Sequence, residues 1–145
     1  MRSPDNEAVV LGMWDDYDRE GLTGVLRWAA DDAEWRPHSS QQRVFRSTAE
    51  YRASVEEAIA RGIRIDSIRL GIWSHDEIVA VRGRLRVRQG GVLEDSRMYW
   101  VHRVKEGMIS WTASSPDLSR LLAEVGLPGR ANEAYMAMHR PEDVS

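Results

Sequence analysis

Residues 77–104 read EIVAVRGRLRVRQGGVLEDSRMYWVHRV. In the first half Val81, Gly83, Leu85 and Val87 alternate with Arg82, Arg84, Arg86 and Arg88, the period of two that sends successive side chains to opposite faces of a strand. After Gln89-Gly90-Gly91 the alternation resumes, with Met98, Trp100, His102 and Val104 on one face and Arg97, Tyr99, Val101 and Arg103 on the other. The same period extends outward over segments 63–74, 77–88, 92–104 and 108–114. Ser74-His75-Asp76, Gln89-Gly90-Gly91 and Glu106-Gly107 separate them, and these are turn compositions of an antiparallel meander. Strands this long exceed the usual five or six residues, so the sheet has to twist and curl around a concave face. The apolar rows are expected on that face and the arginine row on the outer one.

Helical spacing flanks the meander. Val9, Val10, Met13, Trp14 and Tyr17 form one apolar stripe, interrupted at Gly21. Leu22, Val25, Leu26 and Ala29 predict a second helix that closes near Asp31-Asp32, and Trp35-Arg36-Pro37 a short strand stopped by its proline. Ser47-Thr48-Ala49-Glu50 is a capping box opening a third helix with Tyr51, Val55, Ala58 and Ile59 on its apolar face and Gly62 as its stop. Beyond the sheet, Ser115-Pro116-Asp117 predicts a helix with proline in its first position, carrying Leu118, Leu121, Leu122 and Val125 to Gly126. The pattern weakens from Pro128, where Tyr135, Met136 and Met138 are the candidates for packing. The fold class is therefore α+β: a single domain over 1–145 with a core over about 6–127 and a tail over 128–145.

Twenty Lys and Arg against twenty-three Asp and Glu, a net charge of −3, argue against a nucleic-acid or anionic-membrane partner. With no cysteine there is neither a disulfide framework nor a thiolate metal site. The acidic start, MRSPDNEAVV, does not read as a signal peptide and no stretch is long and apolar enough to span a bilayer, so a cytoplasmic location is expected. His38, His75 and His139 fall in a loop, a turn and the tail, with no metal-ligand spacing, and no nucleotide or serine-hydrolase motif is present. No metal and no cofactor is implied. Residues 82–105 hold seven basic and two acidic residues in a chain that is negative overall, which favours self-association of unlike faces, and a homodimer is expected.

Four stretches share an order with a known group of proteins. They are Trp14-Asp15-Asp16-Tyr17 leading to Leu22, Ala30-Asp31-Asp32-Ala33-Glu34-Trp35, residues 76–82, and residues 99–109. Together with three helices, a meander and a closing helix, they resemble the SnoaL-like and ketosteroid-isomerase-like members of the nuclear transport factor two superfamily. That resemblance implies a cone: three N-terminal helices packed on a strongly curved antiparallel sheet, a C-terminal helix, and a ligand cavity between helices and sheet. It implies polyketide-cyclase-like or isomerase-like chemistry or plain binding, since one scaffold serves them all. The isomerases' general-base aspartate falls here at Pro37 and their helix-one tyrosine at Met13, so the resemblance does not carry that mechanism over. No Asp-Arg-Asp set of the limonene-epoxide-hydrolase kind can be placed on one face.

His102 is the one histidine that the strand period puts on an apolar face. An imidazole there serves as base, acid or hydrogen-bond donor near neutral pH; the competing reading is a core histidine bonded to its neighbours. Tyr17 lies one helical turn beyond the isomerases' tyrosine position and is the second candidate catalytic group, as a donor to a ligand oxygen. Six tryptophans against one phenylalanine call for an explanation. Trp14, Trp35, Trp100 and Trp111, with Tyr51, are placed inward by their periods as aromatic walls suited to flat rings; alternatively they simply fill the cone. The expected ligand is an apolar cyclic small molecule, a metabolite acted on by acid/base chemistry of the isomerase, cyclase or dehydratase type. The alternative is a non-catalytic ligand-binding or dimeric interaction protein of the same fold.

Overall fold

The structure, a computed structural model, describes residues 1–38 and 43–139. Its centre is a five-stranded sheet in the order β1-β5-β4-β3-β2, built from β1 (Ala29–Arg36), β2 (Arg64–His75), β3 (Ile78–Gln89), β4 (Val92–Lys105) and β5 (Met108–Ser115). The four meander strands pair antiparallel with the boundaries that the alternation predicts to within about a residue, and β1 joins β5 in parallel. The sheet is thus a curved, mixed sheet rather than a purely antiparallel one.

Three helices cover the inner face. In α1 (Pro4–Glu20) the Ser3 side chain caps the N-terminus, Asp5 and Glu7 complement the dipole, and Val10, Met13, Trp14 and Tyr17 are buried. The second helix, α2 (Leu22–Leu26), is shorter than its spacing predicts, and Ala29–Asp32 belongs to β1. The reason lies in another element: buried Asp16 of α1 accepts from Arg27 Nε and Nη2 at 3.3 and 3.2 Å and from Trp28 Nε1 at 2.7 Å, just where the helix ends after Leu26. As strand residues Asp31 and Asp32 are exposed and no longer oppose a helix dipole. In α3 (Thr48–Ala60) Ser47 Oγ accepts from Glu50 N, while the Glu50 carboxylate reaches Arg46 N, one residue further than a capping box would take it. Gly62 follows with φ +84°.

The outer face is also covered. Here α4 (Leu118–Glu124) starts from Asp117 as N-cap, so Pro116 precedes the helix instead of opening it. Residues 128–130 form a 3-10 turn leading into α5 (Ala131–Met138), an element that the weak pattern beyond Pro128 did not reveal. Ala134 and Met138 of α5 are fully buried and Tyr135 and Met136 are exposed, so only one of the three expected packing residues packs. Residues 140–145 of the expected tail lie outside the described residues.

Two apolar layers result. Val79, Val81, Val104 and Ile109 of the sheet meet Val10, Met13, Trp14 and Leu26 on the inner side. Ile78, Ala80, Tyr99 and Val101 meet Leu118, Leu121, Leu122, Ala134 and Met138 on the outer side. The arginine row falls on the outer face as expected. Arg82 Nε donates to the Met138 carbonyl at 2.8 Å, a cation at the C-terminal end of α5, and Arg84 and Arg86 both pair with Asp95.

Close approach of α5 depends on Gly71, opposite a register shift in β2: a Cβ built there would lie 2.6 Å from the Met138 carbonyl oxygen and 3.1 Å from its Cα. Gly71→Ala is therefore expected to cost roughly 1–3 kcal/mol through overpacking. The check is a lowered urea midpoint together with faster proteolysis within 131–139; an unchanged midpoint would mean that α5 contributes little to the packing.

Candidate functional site

Between α1–α3 and the inner face lies a cavity of about 70 Å³. Met13, Trp14, Tyr17, Leu22 and Val25 form its helical wall, Tyr51 its α3 side, and Trp35, Arg36 and Pro37 its β1 edge. The sheet contributes Ser67, Trp100, His102, Thr112 and Ser114. The aromatic groups lock one another in place: Trp14 meets Trp100 edge-on at 5.0 Å and tilts on Tyr17 at 5.8 Å, and Tyr51 stacks on Trp35 at 4.4 Å.

The structure thus brings together Trp14, Tyr17, Trp35, Tyr51, Trp100 and His102, six of the seven residues that the sequence singles out. Trp111 is the correction. Its ring packs against the outer apolar layer and its Nε1 donates to Glu34 at 3.1 Å. A plain two-residue hairpin at Glu106-Gly107, with Lys105 opposite Met108, would place Trp111 opposite His102 and on the same face. The β4–β5 pairing instead shifts by one between Arg103 and Val104, so that Thr112 stands opposite His102 and Trp111 turns outward. Thr112 is the functional residue missed for the same reason, since only the register, not the composition, reveals it. Trp111, Arg36 and Arg46 all contact the Glu34 carboxylate, which holds the Arg36 side of the cavity in place.

His102 is 2% exposed, with Nδ1 2.9 Å from Thr112 Oγ1. Burial pushes its pKa down to about 3, so the imidazole is neutral at physiological pH. The Thr112 hydroxyl meets no other acceptor among the described residues, so its proton is best satisfied on Nδ1. That assignment places the imidazole proton on Nε2 and makes this nitrogen a donor. Among the described residues, two buried side-chain polar atoms lack a partner, His102 Nε2 and Trp14 Nε1, and both belong to residues of this cavity.

The two phenols differ. Tyr17 already donates to the Ile65 carbonyl at 3.3 Å, so its proton is engaged. Tyr51 has no hydrogen-bond partner among the described residues, and burial pushes its pKa up to about 12, which keeps it a protonated donor. Of the indoles here, Trp35 Nε1 is bound to Thr48 Oγ1 at 3.2 Å. No group of His, Asp or Glu among the described residues is arranged to hold a metal ion, and no helix among them is long and apolar enough to cross a membrane.

No protein-family model and no curated protein matches the sequence. Solved structures do match the fold. An NTF2-like protein of unknown function from Burkholderia pseudomallei K96243 superposes with a TM-score of 0.68 at 18% identity, over 83% of this chain and 97% of that one. A protein assigned to the SnoaL-like polyketide cyclases, from Jannaschia sp. CCS1, gives 0.64 at 17% identity over 88% and 96%. A protein with a ketosteroid-isomerase-like fold from Catenulispora acidiphila DSM 44928, in complex with trimethylamine, gives 0.64 at 15% identity over 86% and 95%. This chain has the nuclear transport factor two-like cone fold, the architecture that SnoaL-like cyclases and ketosteroid-isomerase-like proteins share.

The buried imidazole gives a pH signature. Unfolded, the ring takes a proton near pH 6.5; folded, it resists until about 3. Between these values the unfolded chain binds more protons, so stability falls as the pH drops through that window, by at most about 1.4 kcal/mol per pH unit for one proton. Urea denaturation of wild type and His102→Asn between pH 7 and 4 should show the flatter dependence in the variant. Parallel curves would mean that the imidazole is solvated.

Proposed function

We propose that this protein binds a neutral, ring-bearing small molecule in the aromatic cavity, with His102 as a hydrogen-bond donor to it and not as a general base. The observation that carries the reading is that His102, a buried imidazole whose Nε2 has no protein partner, is one of the residues around a largely apolar cavity. A general base works best with a pKa near the operating pH, and an imidazole at about 3, with its proton held on Nε2 by the Thr112 contact, is poorly suited to that task. As a neutral buried donor it polarises a ligand oxygen and stabilises negative charge that develops there. The sequence's alternative is a cone filled by its own tryptophans and used only for interaction; the aromatic side chains leave a space of about 70 Å³ between them.

A catalytic role of the isomerase, cyclase or dehydratase type is the second reading, favoured by the same donor. No Asp or Glu among the described residues lines the cavity, so none of them supplies a carboxylate as proton acceptor there. Pro37, which stands at the position of the isomerases' base, lines the cavity and offers none. Binding without base catalysis is the reading that the residues support best.

Benzene tests the cavity directly, because an apolar cavity with room for one ring takes it up. Saturable shifts of the Trp14 and Trp100 indole N–H signals are expected in wild type, with loss of saturation in Val25→Phe, which fills the helical wall. Shifts that grow linearly with benzene and are equal in both proteins would contradict the proposal.

A further inference from the structure

We infer that the uncovered end of the sheet docks on an anionic lipid surface, with the β3–β4 turn entering the headgroup region and the arginines of the outer face meeting the lipid phosphates. The inference is independent of the cavity reading.

Strands β2, β3 and β4 outrun the helices packed on them. Helix α5 ends over Gly71 and Arg82. Beyond that point residues 92–97 are all exposed, as are Arg64, Asp66 and Arg88. The register sets Arg64 opposite Arg88, Arg84 opposite Arg97, and Arg86 opposite both Asp66 and Asp95. Directly opposite residues share a face, so five arginines and two aspartates lie together on the outer side. Like charges in such pairs destabilise a sheet, and here there are two arginine pairs. Asp95 partly neutralises Arg84 and Arg86, whereas the side chains of Arg64, Arg88 and Arg97 have no partner among the described residues. The net charge of −3 averages this concentration away, but the local potential is what a docking surface meets.

An anion laid over this face relieves the repulsion, and the apolar groups beside it narrow the kind of anion. Gly90 and Gly91, at φ +57° and +83°, close the β3–β4 turn without a longer loop, so Val92 and Leu93 stand at its very tip. They are 63% and 52% exposed. Ile59, also exposed, lies at the same end: backbone bonds from Gly62 to Ile59 and from Ile63 to Ala58 fold the end of α3 back beside the start of β2. A nucleic acid or an acidic protein segment would answer the charges and leave the aliphatic tip in water. A lipid surface answers both, since aliphatic side chains enter the boundary of the acyl chains while guanidinium groups stay with the phosphates. A second copy seated face to face would bring five arginines against five, so this face is not self-complementary.

Sedimentation of the full-length protein with vesicles tests the inference. Wild type is expected to partition onto vesicles of mixed phosphatidylglycerol and phosphatidylcholine and not onto phosphatidylcholine alone, with severalfold weaker binding in high salt. Each arginine near an anionic surface contributes roughly fivefold, so the double variant Arg64→Gln/Arg88→Gln should bind more than about tenfold more weakly. Val92→Asn/Leu93→Asn, which keeps every charge, should also weaken binding severalfold. All four positions are exposed, and an unchanged urea midpoint confirms that each variant is folded. Equal partition onto both kinds of vesicle, or onto neither, would overturn the inference whatever the variants do. Undiminished binding of the Val92→Asn/Leu93→Asn protein would overturn the lipid assignment. Binding of a single-stranded oligonucleotide or of polyglutamate without binding of vesicles would give the patch to that partner instead.

Discussion

A sheet apolar on both faces is the constraint on which this molecule depends. In β3 and β4 the alternation leaves Val79, Val81, Trp100 and Val104 on one side and Ile78, Ala80, Tyr99 and Val101 on the other, so neither face can be left to water. Helices α1–α3 cover the first and α4–α5 the second. A polar residue in the covered half of β4, at position 102, then has nowhere wet to go, and His102 enters the inner layer as a neutral ring. Its chemistry follows from that position: dry surroundings suppress the imidazolium, and a neighbouring hydroxyl decides which nitrogen keeps the proton.

One inserted residue gives the cavity its polar character. Without the register shift beside Val104, an indole would face His102 and close the space with apolar surface. With it, Thr112 orients the imidazole, and the displaced Trp111 ties down Glu34 and, through it, Arg36. Bulges often re-aim side chains next to functional sites, and this one exchanges a tryptophan for a threonine at a decisive position. The NTF2-like structures share the cone at 15–18% identity, so the likeness carries the architecture alone.

Most of the sheet and of the aromatic wall was legible in the residues, because a period of two is a strong signal and it persists through residues 78–104. The failures have specific physical causes. The second helix was read too long because Leu22, Val25, Leu26 and Ala29 keep helical spacing, while the Asp16 contacts that end the helix arise from another element. Helix α5 was missed because Ala134 and Met138 offer too little apolar area to form a visible stripe, and its docking relies on Gly71 in a distant strand. Trp111 was turned the wrong way because no residue type announces a one-residue shift.

Long-range nitrogen–proton correlation of the His102 imidazole tests the account most directly, since it reads charge state and tautomer together. The account predicts a neutral ring with its proton on Nε2 at pH 7, unchanged down to pH 5. A ring that titrates near pH 6.5, or one that carries its proton on Nδ1, would contradict it.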